Sequence, residues 1–312
     1  MKHYVLLIHG GAGTISPHSL TKLKEQQYKE ALNAALQVSN KILKQGGTSL
    51  DAVETAVKSM EDCPLFNAGR GSVFNAQGSH EMEASIMCGQ SLLAGAISAV
   101  KQVKNPVSLS RKVMDKSEYV YLNGKGASDF ARDQNLAFEQ DEYFYTEERY
   151  KQWQQARASG ESILDHSGAN KFGTVGAVAL DMEGNLAAAT STGGLTNKSF
   201  GRVGDSAVIG AGTYANNQTC AISCTGYGEY FLRAVVAYDV SCLMEYQGLS
   251  LQQACEKVVM QKLKKMGGEG GLIAVDKAGN YELIFNSTGM YRGWVEGREQ
   301  KFHTRIFKDN VS

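Results

Sequence analysis

Two stretches in the second half of this chain share one pattern, and that pattern limits the fold more than any other feature. GAVALDMEGNLAAAT (176–190) and GLIAVDKAGNYELIF (271–285) each run apolar strand, D-x-x-G-N turn, second strand. Asp and Asn close such a turn with local side-chain hydrogen bonds, and Gly supplies the positive φ. Both stretches are therefore read as hairpins. In the first, residues equidistant from Glu183 should face each other, which pairs Leu180 with Leu186 and Thr174 with Thr192.

The remaining segments supply layers for such a sheet. Tyr4 to Ile8 reads as a buried first strand. Leu20 to Leu43 carries apolar residues at helical spacing and stops at Gly46-Gly47. Thr48 to Asp51 has the look of a capping box opening a second helix to about Met60. Residues 65–100 alternate short apolar runs with glycines and read as strands joined by turns. Asn105-Pro106 opens a helix through about Met114. Residues 151–172 are polar, Gly/Ser-rich in their second half, and read as an exposed linker. Tyr230 to Tyr246 is apolar nearly all round and reads as a buried helix, followed by another from Leu251 to Lys265. Hairpins and buried helices in this proportion indicate an antiparallel sheet core covered by helices, an α+β fold. At 312 residues, two domains or one large layered domain are both open.

Charge and cysteine usage exclude several function classes. Lys plus Arg and Asp plus Glu both number 32, so no basic excess points to nucleic acid or an anionic membrane. A small-molecule or peptide substrate is the expectation that remains. The first apolar run is too short for a signal peptide or a membrane span, and nothing later is long enough, so a cytoplasmic protein is expected. Cys63, Cys88, Cys220, Cys224, Cys242 and Cys255 form no CxxC pair and no His cluster. Buried free thiols are expected rather than zinc or disulfides. No Ser–His–Asp or Cys–His set is apparent from spacing.

Four short segments could carry chemistry. Gly173-Thr174 lies where a polar stretch meets a strand. Thr174 is either one more strand residue or a nucleophile exposed by cleavage of the bond before it, whose free α-amine would serve as its general base. Thr192, facing it across the hairpin, would either hydrogen-bond its hydroxyl or pack as a β-branched neighbour. Arg202 and Asp205 of GRVGDS match the two charges of an amino-acid zwitterion, or form an ordinary exposed ion pair. Gly201 and Gly204 would allow the backbone to approach a ligand closely. Thr225 to Glu229, ahead of the buried helix, is either an anion-holding loop or a simple glycine turn. His9 to Gly13 (HGGAG) lacks the spacing of a phosphate loop and reads as a tight turn under a site, with His9 a structural histidine rather than a general base.

Taken in order, the motifs resemble one family. HGGAG (9–13), CPLFNAGRGS (63–72), EMEASIM (81–87), GTVGAVALD (173–181), TSTGG (190–194), GRVGDS (201–206), GAGTYA (210–215) and CTGYGE (224–229) are similar to the plant-type asparaginases, also called isoaspartyl peptidases, of the Ntn-hydrolase superfamily. The resemblance runs nearly the whole length. It implies a single domain over 1–312, a four-layer αββα sandwich of two packed, mainly antiparallel sheets. It implies a precursor cut between Gly173 and Thr174 into 1–173 and 174–312, with Thr174 as nucleophile supported by Thr192 and Asn67. Arg202 and Asp205 would hold the substrate α-carboxylate and α-amine, with Gly226 and Gly228 beside them, and Thr225 and Gly226 would form the oxyanion hole. The implied activity is hydrolysis of β-aspartyl dipeptides and L-asparagine, with no catalytic cofactor. A structural sodium ion would sit on the backbone carbonyls of Met60, Glu61, Cys63, Phe66, Ala68 and Arg70. Mature members resemble dimers of αβ units. Glycosylasparaginase shares the threonine chemistry, and an unprocessed binding protein on the same fold is the non-enzymatic alternative. One departure is Met87-Cys88-Gly89, where related sequences carry Asp in the middle.

Overall fold

The computed structural model describes residues 3–13, 15, 20–159, 173–297 and 301–308. The chain opens with β1 (Val5–Gly13), then α1 (Lys22–Lys44) and α2 (Ser49–Glu61). β2 (Met82–Cys88), β3 (Ala94–Val100), α3 (Pro106–Lys116), β4 (Tyr121–Asn123), α4 (Gly124–Asp133), α5 (Asp141–Phe144) and α6 (Glu147–Ser159) follow. Beyond the undescribed 160–172 come β5 (Val175–Leu180), β6 (Leu186–Thr192), β7 (Thr213–Ala215), β8 (Cys220–Gly226), α7 (Gly228–Ala234), α8 (Val236–Gln247) and α9 (Leu251–Glu256). β9 (Gly270–Asp276), β10 (Tyr281–Phe285), β11 (Gly289–Glu296) and β12 (His303–Phe307) complete it.

The strands form two sheets. The larger runs β12-β11-β1-β5-β6-β2-β3-β4 and the smaller β10-β9-β8-β7. Every strand pair is antiparallel except β3 with β4. Period-two alternation sends Val5, Leu7, Val178, Leu180, Leu186 and Ala188 inward, against Ala215, Ala221, Ile273 and Val275 of the small sheet. The opposite face of the large sheet presents Leu6, Ile8, Ala177, Ala179, Ala187 and Ala189 to α1 and α2. The outer face of the small sheet, with Cys220, Ile222, Cys224 and Leu272, packs on α7, α8 and α9. The result is the four-layer αββα sandwich.

Both D-x-x-G-N hairpins form alike. Asp181 Oδ1 accepts from the Glu183 and Asn185 amides, and Asp276 Oδ1 from those of Ala278 and Asn280. Gly184 and Gly279 take φ of +82° and +86°. The register centred on Glu183 holds from Leu180↔Leu186 to Val175↔Ser191. Asp181 Oδ2 also accepts from the Ser49 amide and ties the turn to the start of α2. Thr48 Oγ1 caps that helix by accepting from the Asp51 amide.

Three expectations change. Residues 151–159 belong to α6 rather than to a linker; Trp153 stacks near Phe74 and Tyr150, and Arg149 at the helix start donates to Gly71 O. The rest of the expected linker lies outside the described residues. Residues 65–81 are loop and a 3-10 turn, and only β2 and β3 are strands in 65–100. The helix read from Tyr230 to Tyr246 is two helices, broken at Val235 with φ of +50°. At the break the Ala237 and Tyr238 amides at the start of α8 donate to Ala211 O and Gly210 O, and Tyr246 near the other end of α8 is exposed. α9 continues through a π-helical segment, Lys257–Leu263.

Candidate active site

The two sheets meet in rows, and the rows change character along the strands. In the innermost, Leu7, Val178, Ala188 and Met87 lie side by side across β1, β5, β6 and β2, all apolar. The next row is His9, Gly176, Thr190 and Ser85, facing Ser223 and Thr213 of β8 and β7. Beyond it, at the rim, Thr174 precedes β5, Thr192 ends β6 opposite Glu83 of β2, and Thr225 nears the end of β8. Alternation alone thus gathers Thr174, Thr192 and Thr225 at one end of the sandwich.

Gly173 is held in a slot. A Cβ at Gly11, whose φ is +114°, would stand 2.5 Å from Gly173 N and 2.6 Å from its Cα. A Cβ at Gly173 would stand 2.7 Å from Thr225 Oγ1. Thr225 Oγ1 accepts from the Ala12 amide at 3.1 Å, which leaves its own proton free to donate. The HGGAG segment is therefore the last stretch of β1, wrapped around the peptide before Thr174.

Thr174 is buried, and its Oγ1 lies 3.2 Å from Ser206 Oγ. Thr192 Oγ1 accepts from the Gly194 amide at 3.0 Å. The hairpin register runs to Val175↔Ser191, one residue short of the two threonines, and the hydroxyl contact of Thr174 among the described residues is with Ser206, a residue inside GRVGDS to which sequence reasoning gave no part. Among the described residues Asn67 makes no hydrogen bond to Thr174. Its Nδ2 donates to Gly194 O, its Oδ1 accepts from the Val73 amide, and its carbonyl accepts from the Gly193 amide, so it braces the turn after Thr192.

Ser206 is joined through its neighbour Asp205 to a charged pocket. Asp205 Oδ2 is buried and has no hydrogen-bond partner among the described residues. Burial pushes the Asp205 carboxyl up to about 7 against the pull of the nearby Arg202. Arg202 makes a bidentate pair with Glu229, Nε to Oε1 and Nη2 to Oε2, each 2.9 Å. Space between Arg202 and Asp205 exists because residue 228 is glycine: a Cβ there would stand 2.7 Å from Arg202 Nη2 and 2.9 Å from Asp205 Oδ1. Behind this pocket, Glu83 accepts from Lys198 Nζ at 3.0 Å and from the Gly204 amide at 2.7 Å, with both side chains buried. Glu83 and Lys198 escaped the sequence reading; the signal was an acidic residue inside an otherwise apolar strand pattern, EMEASIM.

An arginine and an unpartnered carboxyl oxygen, one residue from a serine bonded to a strand-end threonine, put opposite charges beside a hydroxyl. The family model for asparaginase matches residues 2–304.

The chain belongs to the asparaginase family.

Matches to its relatives cover 93% to 99% of the chain. It is 52% identical over 295 residues to the isoaspartyl peptidase of Escherichia coli (strain K12), covering 93% of this chain and 92% of the relative. It is 42% identical over 316 residues to a probable isoaspartyl peptidase/L-asparaginase 2 of Arabidopsis thaliana, covering 94% and 96%. It is 40% identical over 310 residues to the isoaspartyl peptidase/L-asparaginase of Homo sapiens, covering 99% and 97%.

In this asparaginase-family chain the 60–70 segment folds back on itself. Gly69 has φ of +50°, and a Cβ there would stand 2.5 Å from Glu61 O. A Cβ at Gly71 would overlap the Phe66 carbonyl oxygen. Among the described residues no cluster of His, Cys, Asp and Glu could hold a metal ion. No helix among them is long and apolar enough to cross a membrane. All six cysteines are free thiols; Cys220, Cys224 and Cys255 are buried, whereas Cys63, Cys88 and Cys242 are only half-buried, which corrects the expectation that all would be buried. Cys88 sits half-buried at the end of β2, at the opposite end of that strand from Glu83.

Proposed function

We propose that this protein is an isoaspartyl peptidase/L-asparaginase: an amidohydrolase that cleaves the β-amide of β-aspartyl dipeptides and L-asparagine and releases L-aspartate. The observation that carries this reading is the Asp205–Ser206 step. One residue presents an unsatisfied buried carboxyl oxygen beside Arg202, and the next touches the Thr174 hydroxyl. A β-aspartyl group has its α-carboxylate and α-ammonium at one end and its reacting carbonyl one methylene away. A reader of the first end next to a hydroxyl suits that shape.

The enzyme arises by self-cleavage in this reading. The Thr174 hydroxyl attacks the Gly173 carbonyl carbon, the C–N bond breaks as the ester forms, and the nitrogen leaves as the Thr174 amine. Water then hydrolyses the ester. The freed amine accepts the hydroxyl proton for catalysis. Arg202 binds the α-carboxylate, Asp205 binds the α-ammonium, and Gly226 and Gly228 leave room for the substrate backbone. The hydroxyl attacks the β-carbonyl, and the Thr225 hydroxyl and Gly226 amide stabilise the oxyanion. Thr192 orients the nucleophile from the facing strand, and Asn67 holds the turn behind it. Ammonia or an amino acid leaves, and water releases aspartate.

Within the same reading, backbone carbonyls of Met60, Glu61, Cys63, Phe66, Ala68 and Arg70 would hold a sodium ion. The close return of 69–71 onto Glu61 O and Phe66 O supports this, since carbonyl oxygens suit a hard cation. The ion would supply fold stability only, read as a higher thermal midpoint in sodium than in choline chloride. Dimers of αβ units belong to the same proposal and are checked by scattering mass in solution.

The test of function is turnover of β-aspartyl-leucine and L-asparagine by purified protein and by Thr174→Ala. Aspartate release by the first and none by the second is expected. Turnover by Thr174→Ala would refute the nucleophile assignment; failure of the wild type on both substrates would refute the substrate class.

A further inference from the structure

The row behind Thr174 contains five polar side chains where its neighbour is apolar: His9, Ser85, Thr190, Thr213 and Ser223. All are fully buried between the sheets. Burying polar groups is costly unless each finds a partner, so the row must be a closed network. It is one. His9 Nδ1 lies 3.0 Å from the Thr174 carbonyl oxygen and His9 Nε2 lies 2.9 Å from Ser223 Oγ. Ser223 Oγ lies 2.7 Å from Thr190 Oγ1, which meets Thr213 Oγ1. Ser85 Oγ stands 2.8 Å from Thr213 Oγ1 and 2.6 Å from Ser206 O. The gap that His9 crosses is made by Gly176 in the same row, where a Cβ would overlap both Ser223 Oγ and His9 Nε2.

Proton direction in this network is forced. A carbonyl oxygen only accepts, so His9 Nδ1 carries the proton and donates to Thr174 O. Burial lowers His9 to about 3, so the ring is neutral and Nε2 can only accept. Ser223 must then donate to Nε2, Thr190 to Ser223 at 2.7 Å with Gly212 O at 3.3 Å as a weaker second acceptor of the same proton, and Thr213 to Thr190. The single Ser85 proton is shared between Thr213 Oγ1 and Ser206 O.

We infer that His9 is a positioning residue at the head of a one-way relay, Ser85–Thr213–Thr190–Ser223–His9, that locks the imidazole tautomer and so clamps the Thr174 carbonyl. The inference rests on Thr174 being the nucleophile. Both ends of the relay reach that residue: His9 at its carbonyl, and Ser85 through the backbone of Ser206, whose hydroxyl meets Thr174 Oγ1. The clamp matters most after self-cleavage. The bond that breaks lies before Thr174, whereas the carbonyl held by His9 lies after it. A new chain terminus frays unless tied down, and this contact ties it.

The experiment uses cleaved enzyme, with rates expressed per Thr174 amino terminus. In wild type, 15N NMR of histidine-labelled protein should find His9 protonated at Nδ1 and bare at Nε2. Ser223→Ala removes the donor to Nε2 and should lower kcat at least about tenfold, with KM within about twofold because Arg202 and Asp205 are untouched. His9→Asn places an amide N–H where Nδ1 stood and should restore kcat to within about threefold of wild type. His9→Gln reaches the Ser223 side instead and should stay at least about tenfold low. An Nε2-protonated or charged His9, wild-type kcat in Ser223→Ala, or equal losses in His9→Asn and His9→Gln would each overturn the relay. Activity in Thr174→Ala would instead sink the nucleophile reading and leave the tautomer result standing.

Discussion

Gly11 and Gly173 pass within side-chain distance of each other: no Cβ fits on Gly11 without meeting Gly173 N and Cα at 2.5 and 2.6 Å. The strand that begins the chain thus grips the peptide proposed to break. Gly11→Ala also suffers at its φ of +114°, a conformation L-residues rarely take. This variant should fold, because the strain falls at the end of β1 rather than in the core, and should self-cleave at least about a hundredfold more slowly. Gel densitometry over days reads the rate. Wild-type cleavage in Gly11→Ala would show that the grip has no part in it.

Thr192→Val isolates one hydroxyl. Valine keeps the shape and the strand preference, so the β5–β6 hairpin and the thermal midpoint should hold within a few degrees. The variant loses the bond to the Gly194 amide and the hydroxyl's own proton. We expect kcat to fall about tenfold or more with little change in KM. An unaltered kcat in a stable variant would make Thr192 a packing residue.

Asp205 gives the pH dependence. In the empty site its carboxyl, raised to about 7 by burial, is neutral on the acid side of that value. It must ionise to hold an α-ammonium. As pH falls below about 7, KM should therefore rise by up to about tenfold per unit. The folded value lies above the ordinary 3.8, so the folded protein binds the extra proton between the two. This group's contribution to stability is complete below about 4 and is lost as pH rises through about 7. Bound aspartate, which favours the ionised form, should raise the thermal midpoint more at pH 8 than at pH 5. A flat KM profile from pH 5 to 8 would contradict the assignment.

Lys198 and Glu83 test the scaffold behind the pocket. Removing one partner of a buried pair leaves an uncompensated charge and costs about 3–5 kcal/mol. Lys198→Met should be destabilised by that order in urea unfolding, and Lys198→Met with Glu83→Gln should recover most of it. Equal stability of the single variant and wild type would mean that the pair is replaced by solvent.

The fold was legible where spacing carries the information. The Glu183 register is local: two strands and a five-residue turn settle it, and it pairs residues out to Val175 and Ser191 without any knowledge of the other strands. The nearness of Arg202 and Asp205 was also legible, because they sit three residues apart on one loop. What escaped needed the second sheet. Ser223 meets His9 across 214 positions of sequence, and Ser85 meets Thr213 across 128. Serine and threonine in strands give no outward sign of whether they face solvent, core or each other. The break at Val235 escaped for a related reason: the start of α8 bonds residues elsewhere in the chain, the Ala237 and Tyr238 amides donating to Ala211 O and Gly210 O. Glu83 had a local signal, a carboxylate in an apolar strand, but its partner Lys198 lies on another loop.

The central claim is that Thr174 becomes an amino terminus and the nucleophile. Intact-mass spectrometry of purified protein, incubated until no further change occurs, tests it most directly. The account predicts two fragments with the masses of 1–173 and 174–312, the second beginning at Thr174, and a single uncut chain for Thr174→Ala. An active protein that stays one chain, or a new terminus at any other residue, would contradict it.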